Sequence, residues 1–128
     1  DAKAFGFRVS LVRRWMRASS TSIATGINDA RGLIENNGFD GQRKVIDVSG
    51  DGPDNSSDDL EGARQQALAS GITINGLSIE AEERALHDYY RARVIIGADS
   101  FVEPAEGFED IARAMKEKLV RELRPLGS

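Results

Sequence analysis

The chain has 128 residues, of which 40% are hydrophobic and 30% are charged, with a formal net charge of -4 and no cysteine. This composition is typical of one globular domain with a modest core, so residues 1–128 are treated as a single domain. The acidic balance argues against nucleic acid as a partner, the lack of cysteine excludes disulfides and thiolate metal sites, and no apolar run is long enough to span a membrane.

The first apolar segment of the chain fits two secondary structures. One set of residues lies at helical spacing: Phe5, Val9, Val12 and Met16. An overlapping set alternates as in a strand: Phe5, Phe7, Val9 and Leu11. We predict a helix, whose basic residues between Asp1 and Arg17 would form a solvated face.

The next two elements are a helix and a strand. The apolar face of the helix comprises Ile23, Ile27, Ala30 and Ile34. Ser20 to Ser22 are candidate N-caps, and Asn37-Gly38 is the predicted stop. Lys44 to Ser49 predicts a short strand that is covered on both faces. Asp47 interrupts this strand, and we expect a buried carboxylate that is bonded to backbone N–H groups or to an arginine.

The remaining elements alternate in the same way. We predict helices over 58–70 and 81–93 and strands over 72–79 and 100–103. The first of these helices would end at Gly71, and its inward residues would be Leu60, Ala63, Ala67 and Leu68. A terminal helix near 107–123 has an apolar face formed by Phe108, Ile111, Ala112, Met115, Leu119 and Leu123. The alternation predicts an α/β fold, a doubly wound and mostly parallel sheet with helices on both faces.

Asp51 lies in the segment Ser49-Gly50-Asp51-Gly52, directly after a predicted strand. In open parallel sheets, ligands bind beyond the carboxyl ends of the strands, which is where this carboxylate falls. Asp51 is therefore the first candidate for a functional residue.

Two segments together resemble the von Willebrand factor type A (vWA) domain. Val45 to Gly52 is similar to its fourth strand, whose terminal Asp belongs to a metal-ion-dependent adhesion site. Thr21 to Ile27 is similar to the segment in which a Thr opens a helix and reaches the metal. Gly71 to Ile79 and Tyr89 to Leu123 resemble, more narrowly, a bacterial vWA-like family of unknown function.

The resemblance implies a protein-binding module rather than an enzyme, secreted or periplasmic. Thr21 and Asp51 would hold Mg²⁺ or Ca²⁺, and an acidic side chain of a partner protein would complete the coordination. The family's first-strand Asp-x-Ser-x-Ser motif does not occur before Thr21, so we expect a partial domain that lacks its N-terminal strands. With two protein ligands, metal binding would be weak or absent.

The same layout predicts an uncovered sheet edge. We expect it to pair with a complementing chain, with a swapped copy in a homo-oligomer, or with the basic N-terminal segment of this chain.

Simpler roles remain open for each candidate residue. Thr21 fits an ordinary helix cap, and Asp51 fits a turn. The acids between Asp54 and Asp59 do not match an EF-hand loop, and the single histidine, His87, is expected at the surface. The alternative function is a doubly wound hydrolytic or phosphotransfer enzyme that uses Asp51.

Overall fold

Four parallel strands form the centre of the fold. The computed structural model describes residues 22–36, 44–53, 58–80 and 85–123, and the backbone of 7–12. The elements are β1 (Phe7–Val12), α1 (Ile23–Glu35), β2 (Lys44–Gly50), α2 (Leu60–Ala69), β3 (Ile72–Ile79), α3 (Leu86–Arg93), β4 (Val102–Ala105) and α4 (Ile111–Glu122), with a 3-10 turn at Phe108–Asp110. The sheet order is β1-β2-β3-β4 and each of these pairings is parallel, which confirms the predicted α/β architecture.

The first segment is a strand, so the helix predicted for it is wrong. β1 pairs with β2 from Phe7 opposite Lys44 to Val12 opposite Ser49. The edge of β2 carries backbone N–H and C=O groups that need partners, and an alternating segment can supply them where a helix cannot. The edge is therefore covered by the basic segment of the same chain, one of the three arrangements expected from the sequence.

Helices α1, α2 and α3 share one face of the sheet. The predicted apolar face of α1 is buried there, with Ile23, Ile27, Ala30 and Ile34 each at most 3% exposed, and it packs in one core with Ile46 and Ile74 of the strands. In α2 the predicted face is confirmed at Leu60, Ala63 and Ala67, whereas Leu68 is 44% exposed. The helix ends at Ala69, and Gly71, which was predicted as the stop, follows the C-cap Ser70 with the left-handed φ of +76° that is common just beyond a helix.

Helix α4 lies on the opposite face, and its predicted inward face is largely wrong. The residues it buries are Ala114, Lys118 and Glu122. Three of the residues predicted to face the core remain 40%, 41% and 59% exposed: Met115, Leu119 and Leu123. The helix is rotated because Lys118 and Glu122 meet polar groups of the sheet, which the apolar pattern of the helix alone does not reveal.

Gly76 of β3 allows α3 to pack closely. A Cβ atom at this position would lie 2.5 Å from Cδ2 of Tyr90, whose side chain is fully buried. We expect Gly76→Ala to lower the free energy of unfolding by about 1–3 kcal/mol, since the ring cannot move without disturbing the core. Urea unfolding measures this change, and Gly32→Ala, where a Cβ has no neighbour within 4 Å, is the control. An equal effect of the two substitutions would contradict the packing argument.

Candidate functional site

The rim beyond β2 holds the first candidate residue. Asp51 follows Gly50, the last residue of β2, and it is half-buried. Its position confirms that the carboxylate comes directly after a parallel strand. Thr21, the second predicted metal ligand, lies outside the described residues, so the structure does not test the pairing of Thr21 with Asp51.

The start of α1 is tied to the loop that follows β2. Ser22 is the N-cap of α1, and its Oγ accepts a hydrogen bond from the backbone N–H of Thr25 at 3.0 Å. The Ser22 hydroxyl donates to Oδ2 of Asp58 at 2.6 Å, and the Thr25 hydroxyl donates to the same oxygen at 3.2 Å. These bonds bring the first turn of α1 against the segment that leads into α2.

The described acids of that segment form bonds within the protein. Asp59 is the N-cap of α2 and accepts a hydrogen bond from the N–H of Gly62 at 2.9 Å. Asp58 accepts hydrogen bonds from the hydroxyl groups of Ser22 and Thr25. Asp54 and Asn55 lie outside the described residues. Asp58 and Asp59 therefore act as structural links at two helix starts, where a carboxylate also interacts favourably with the helix dipole.

The rim matches a hard cation in donor chemistry but not in donor number. Carboxylate and hydroxyl oxygens are the ligands that Mg²⁺ and Ca²⁺ prefer, and a complete shell takes about six of them. Within the described ranges, no three His, Asp or Glu side chains come together as a metal site would require. Of the described residues, Asp51 is the one whose position matches the predicted site.

His87 lies at the surface of α3, as predicted. Its side chain is 33% exposed, and Nδ1 is 3.8 Å from Oδ1 of Asp88. The imidazole is thus partly solvated and lies beside a carboxylate of the same helix.

A buried ionic cluster between the sheet and α4 was not predicted. Nζ of Lys118 lies 2.6 Å from Oδ1 of Asp47 and 3.0 Å from Oε2 of Glu122. Nδ2 of Asn75 donates to Oε2 of Glu122 at 3.0 Å, and the N–H of Phe101 donates to Oδ1 of Asn75 at 3.1 Å. The expectation that Asp47 is a buried carboxylate is confirmed. Its ion-pair partner is Lys118, whereas the sequence suggested backbone N–H groups or an arginine.

The cluster changes the acidity of its two carboxyl groups. The pKa of Asp47 is raised to about 7, because burial and, to a lesser extent, a hydrogen bond with Glu122 outweigh the opposing charge of Lys118. Burial alone would also raise the pKa of Glu122, but the hydrogen bond with Asp47 and the charge of Lys118 outweigh it, and the pKa is lowered. Of the two carboxyl groups, Asp47 is therefore the one that takes up a proton more readily.

Comparison with known proteins gives one family. The model of the family described as "Protein of unknown function (DUF1194)" matches residues 1–127, and the chain belongs to this family. No curated protein and no solved structure matches the chain. Over the described residues, no helix has the length and apolar character needed to cross a bilayer.

Proposed function

We propose that this member of the DUF1194 family is a vWA-like protein-binding module, and that its binding site is the rim at Asp51 and Thr21. The observation that carries the proposal is the 2.6 Å hydrogen bond from Ser22 to Asp58. It holds the start of α1 beside the loop after β2. Asp51 opens that loop, and Thr21 is the residue before Ser22 in the sequence.

The proposed chemistry uses hard oxygen donors. Asp51 supplies a charged carboxylate and Thr21 a neutral hydroxyl, which suit Mg²⁺ or Ca²⁺ better than a softer metal. A divalent cation bound there would present an open position to an acidic side chain of a partner protein. With two protein ligands, we propose an affinity in the range of weak calcium modules, with a Kd of about 1 mM or higher.

Calorimetry with Mg²⁺ and Ca²⁺ tests the role of Asp51. We expect weak binding by this chain and its loss in Asp51→Ala, because the substitution removes the only charge proposed for the site. Asp29→Ala is the matched control, since Asp29 is an exposed acid on α1 away from the rim. A chain extended at its N-terminus by a strand with Asp-x-Ser-x-Ser should bind more tightly and should depend equally on Asp51.

Two results would contradict the proposal. One is metal binding that survives Asp51→Ala, which would place the site elsewhere, with the segment from Asp54 to Asp59 as the next place to examine. The other is an extended chain that binds metal but does not bind an acidic peptide in its presence. The hydrolytic or phosphotransfer alternative stays a prediction, and its test is turnover that Asp51→Ala abolishes.

A further inference from the structure

The exposed side of α4 carries a row of large apolar side chains. Met115, Leu119 and Leu123 follow one another at intervals of four residues, and they are 40%, 41% and 59% exposed. Residues three or four positions apart are neighbours on a helix, so these side chains form one continuous row, and Val120, which is 52% exposed, lies beside it. Single exposed apolar residues are common on protein surfaces, whereas a continuous group of them is a feature of interaction surfaces.

An open cleft borders this row on the side toward β4. Its volume is about 690 Å³, within the range typical of ligand sites, and its lining consists of Glu103, Arg113, Lys116, Glu117, Val120 and Arg121. Val120 belongs to both the cleft and the apolar group, so the two are parts of one surface. We call the apolar row and the cleft together the α4 surface.

The two acids of the cleft are directed at one arginine. Nη1 of Arg113 lies 3.5 Å from Oε2 of Glu103 and 3.9 Å from Oε1 of Glu117. The same guanidinium donates to both carboxylate oxygens of Asp110, at 2.7 and 2.8 Å. Acids of the protein itself therefore surround Arg113, and it has little capacity to attract a further anion.

The other two cations of the cleft have no carboxylate partner among the described residues. The Lys116 side chain is exposed and makes no hydrogen bond or ion pair there. Arg121 is held over the Phe101 ring, 4.2 Å from its centroid, which orients the guanidinium without neutralising it. The α4 surface thus places two positive charges beside an apolar row.

We propose that the α4 surface binds an acidic amphipathic helix of another protein. The apolar side chains of that helix would lie on the row from Met115 to Leu123, and its acidic flank would lie over the cleft, at Lys116 and Arg121. An amphipathic helix presents apolar residues at the same spacing of three and four positions, so its ridges match the rows of α4. The α4 surface includes neither Asp51 nor Thr21, so this site is independent of the function proposed for the rim.

Charge favours this occupant over two others. A second copy joined through the α4 surface would bring its own basic cleft into the interface, where like charges repel each other. An anionic bilayer would attract the same cations, but the chain as a whole has a net charge of -4, which opposes its approach to an anionic surface. An acidic helix meets both the cations and the apolar row without either penalty.

A displayed library of amphipathic helical peptides of about four turns tests the proposal. The apolar positions are varied among Leu, Ile, Met and Phe, and the flanking positions among Glu, Ser and Lys. We expect selection on the protein to enrich Glu at the flanking positions, and we expect the enriched peptides to shift the amide NMR signals of 115–123. EDTA is present throughout, so that no cation at the rim takes part.

Two substitutions with matched controls separate the charged from the apolar contribution. Lys116→Glu should weaken binding of the enriched peptides by about tenfold, because repulsion replaces attraction, while Arg91→Glu, the same charge change at an exposed position of α3, should change it by less than about twofold. Leu119→Ser should also weaken binding by about tenfold. Its control is Leu68→Ser on α2, where the side chain has a similar exposure of 44%.

Several results would overturn the proposal. Failure to enrich any peptide, enrichment without a preference for Glu, or binding that Lys116→Glu and Leu119→Ser leave unchanged would each do so. A dimer in sedimentation that Leu119→Ser dissociates would make the α4 surface an interface between copies. Binding to vesicles that contain phosphatidylserine, without binding to any peptide, would make it a membrane contact. NMR contacts from the Leu119 methyl groups to residues outside the described ranges would show that the chain itself covers the row.

Discussion

Replacing Lys118 by methionine should destabilise the fold by about 3–5 kcal/mol at neutral pH, the loss typical when one partner of a buried ion pair is removed. Methionine has a similar length and fills the space, so the lost packing is small. What remains is a pair of buried carboxyl groups, Asp47 and Glu122, without the ammonium that both contact. Urea unfolding at about pH 7.5 gives the magnitude.

The pH dependence of this variant separates charge from packing. In mild acid both carboxyl groups can take up protons, so the destabilisation caused by Lys118→Met should be clearly smaller at about pH 5 than at about pH 7.5. Lys116→Met is the control, because Lys116 is exposed on the same helix and should change stability by less than about 0.5 kcal/mol. A Lys118→Met penalty that is the same at both pH values would contradict the electrostatic account.

Replacing Tyr90 by alanine should lower the free energy of unfolding by about 3–5 kcal/mol, as is typical when a buried aromatic side chain is removed from a core. The Tyr90 ring is fully buried and joins α3 to the core formed with Ile74 and Val102. Tyr89→Ala, at a neighbouring and partly buried ring, should cost less. Thermal unfolding monitored by circular dichroism measures both losses, and equal losses would contradict the packing described for α3.

Combining Tyr90→Ala with Gly76→Ala tests the contact directly. The added Cβ is unfavourable because it meets the Tyr90 ring, so it should cost little or become favourable once the ring is absent. The two changes should therefore be non-additive by about 1 kcal/mol or more, as expected for residues in contact. Simple additivity would show that Gly76 is needed for another reason.

The spacing of apolar residues correctly predicted the elements whose pattern fits either a helix or a strand but not both. β2, β3, α2 and the core face of α1 lie close to where the sequence predicted them. β4 begins two residues later than predicted and includes Pro104, which an edge strand tolerates because one side of its backbone is unpaired. Segments with a consistent local pattern were therefore predicted well.

Two errors came from interactions between distant parts of the chain. The segment of β1 has apolar residues at both helical and strand spacing, and the helix was predicted, but pairing with the edge of β2 makes it a strand. In α4 the apolar residues suggested one inward face, but Lys118 pairs with Asp47 of β2 and Glu122 accepts a hydrogen bond from Asn75 of β3, so these two residues face the sheet instead. The isolated Asp47 within a strand was the available signal, since a buried carboxylate requires a cation or hydrogen-bond donors.

The candidate site was predictable only in part. The position of Asp51 after a parallel strand follows from the alternation of elements, and the structure confirms it. The link from Ser22 to Asp58 joins residues 36 positions apart, and no spacing rule reveals it. Which residues complete a metal shell depends on such distant contacts, and a direct measurement at the rim identifies them.

That measurement is amide NMR of the chain titrated with Mn²⁺, a paramagnetic ion with the same preference for oxygen ligands as Mg²⁺. A bound paramagnetic ion broadens the signals of nearby amides, so the broadening detects weak binding and shows where the ion lies. The account predicts broadening centred on Gly50 to Gly52 and the first turn of α1, and its loss in Asp51→Ala but not in Asp29→Ala. Broadening centred on another acidic group such as Glu109 and Asp110, or unchanged broadening in Asp51→Ala, would contradict a cation site at this rim.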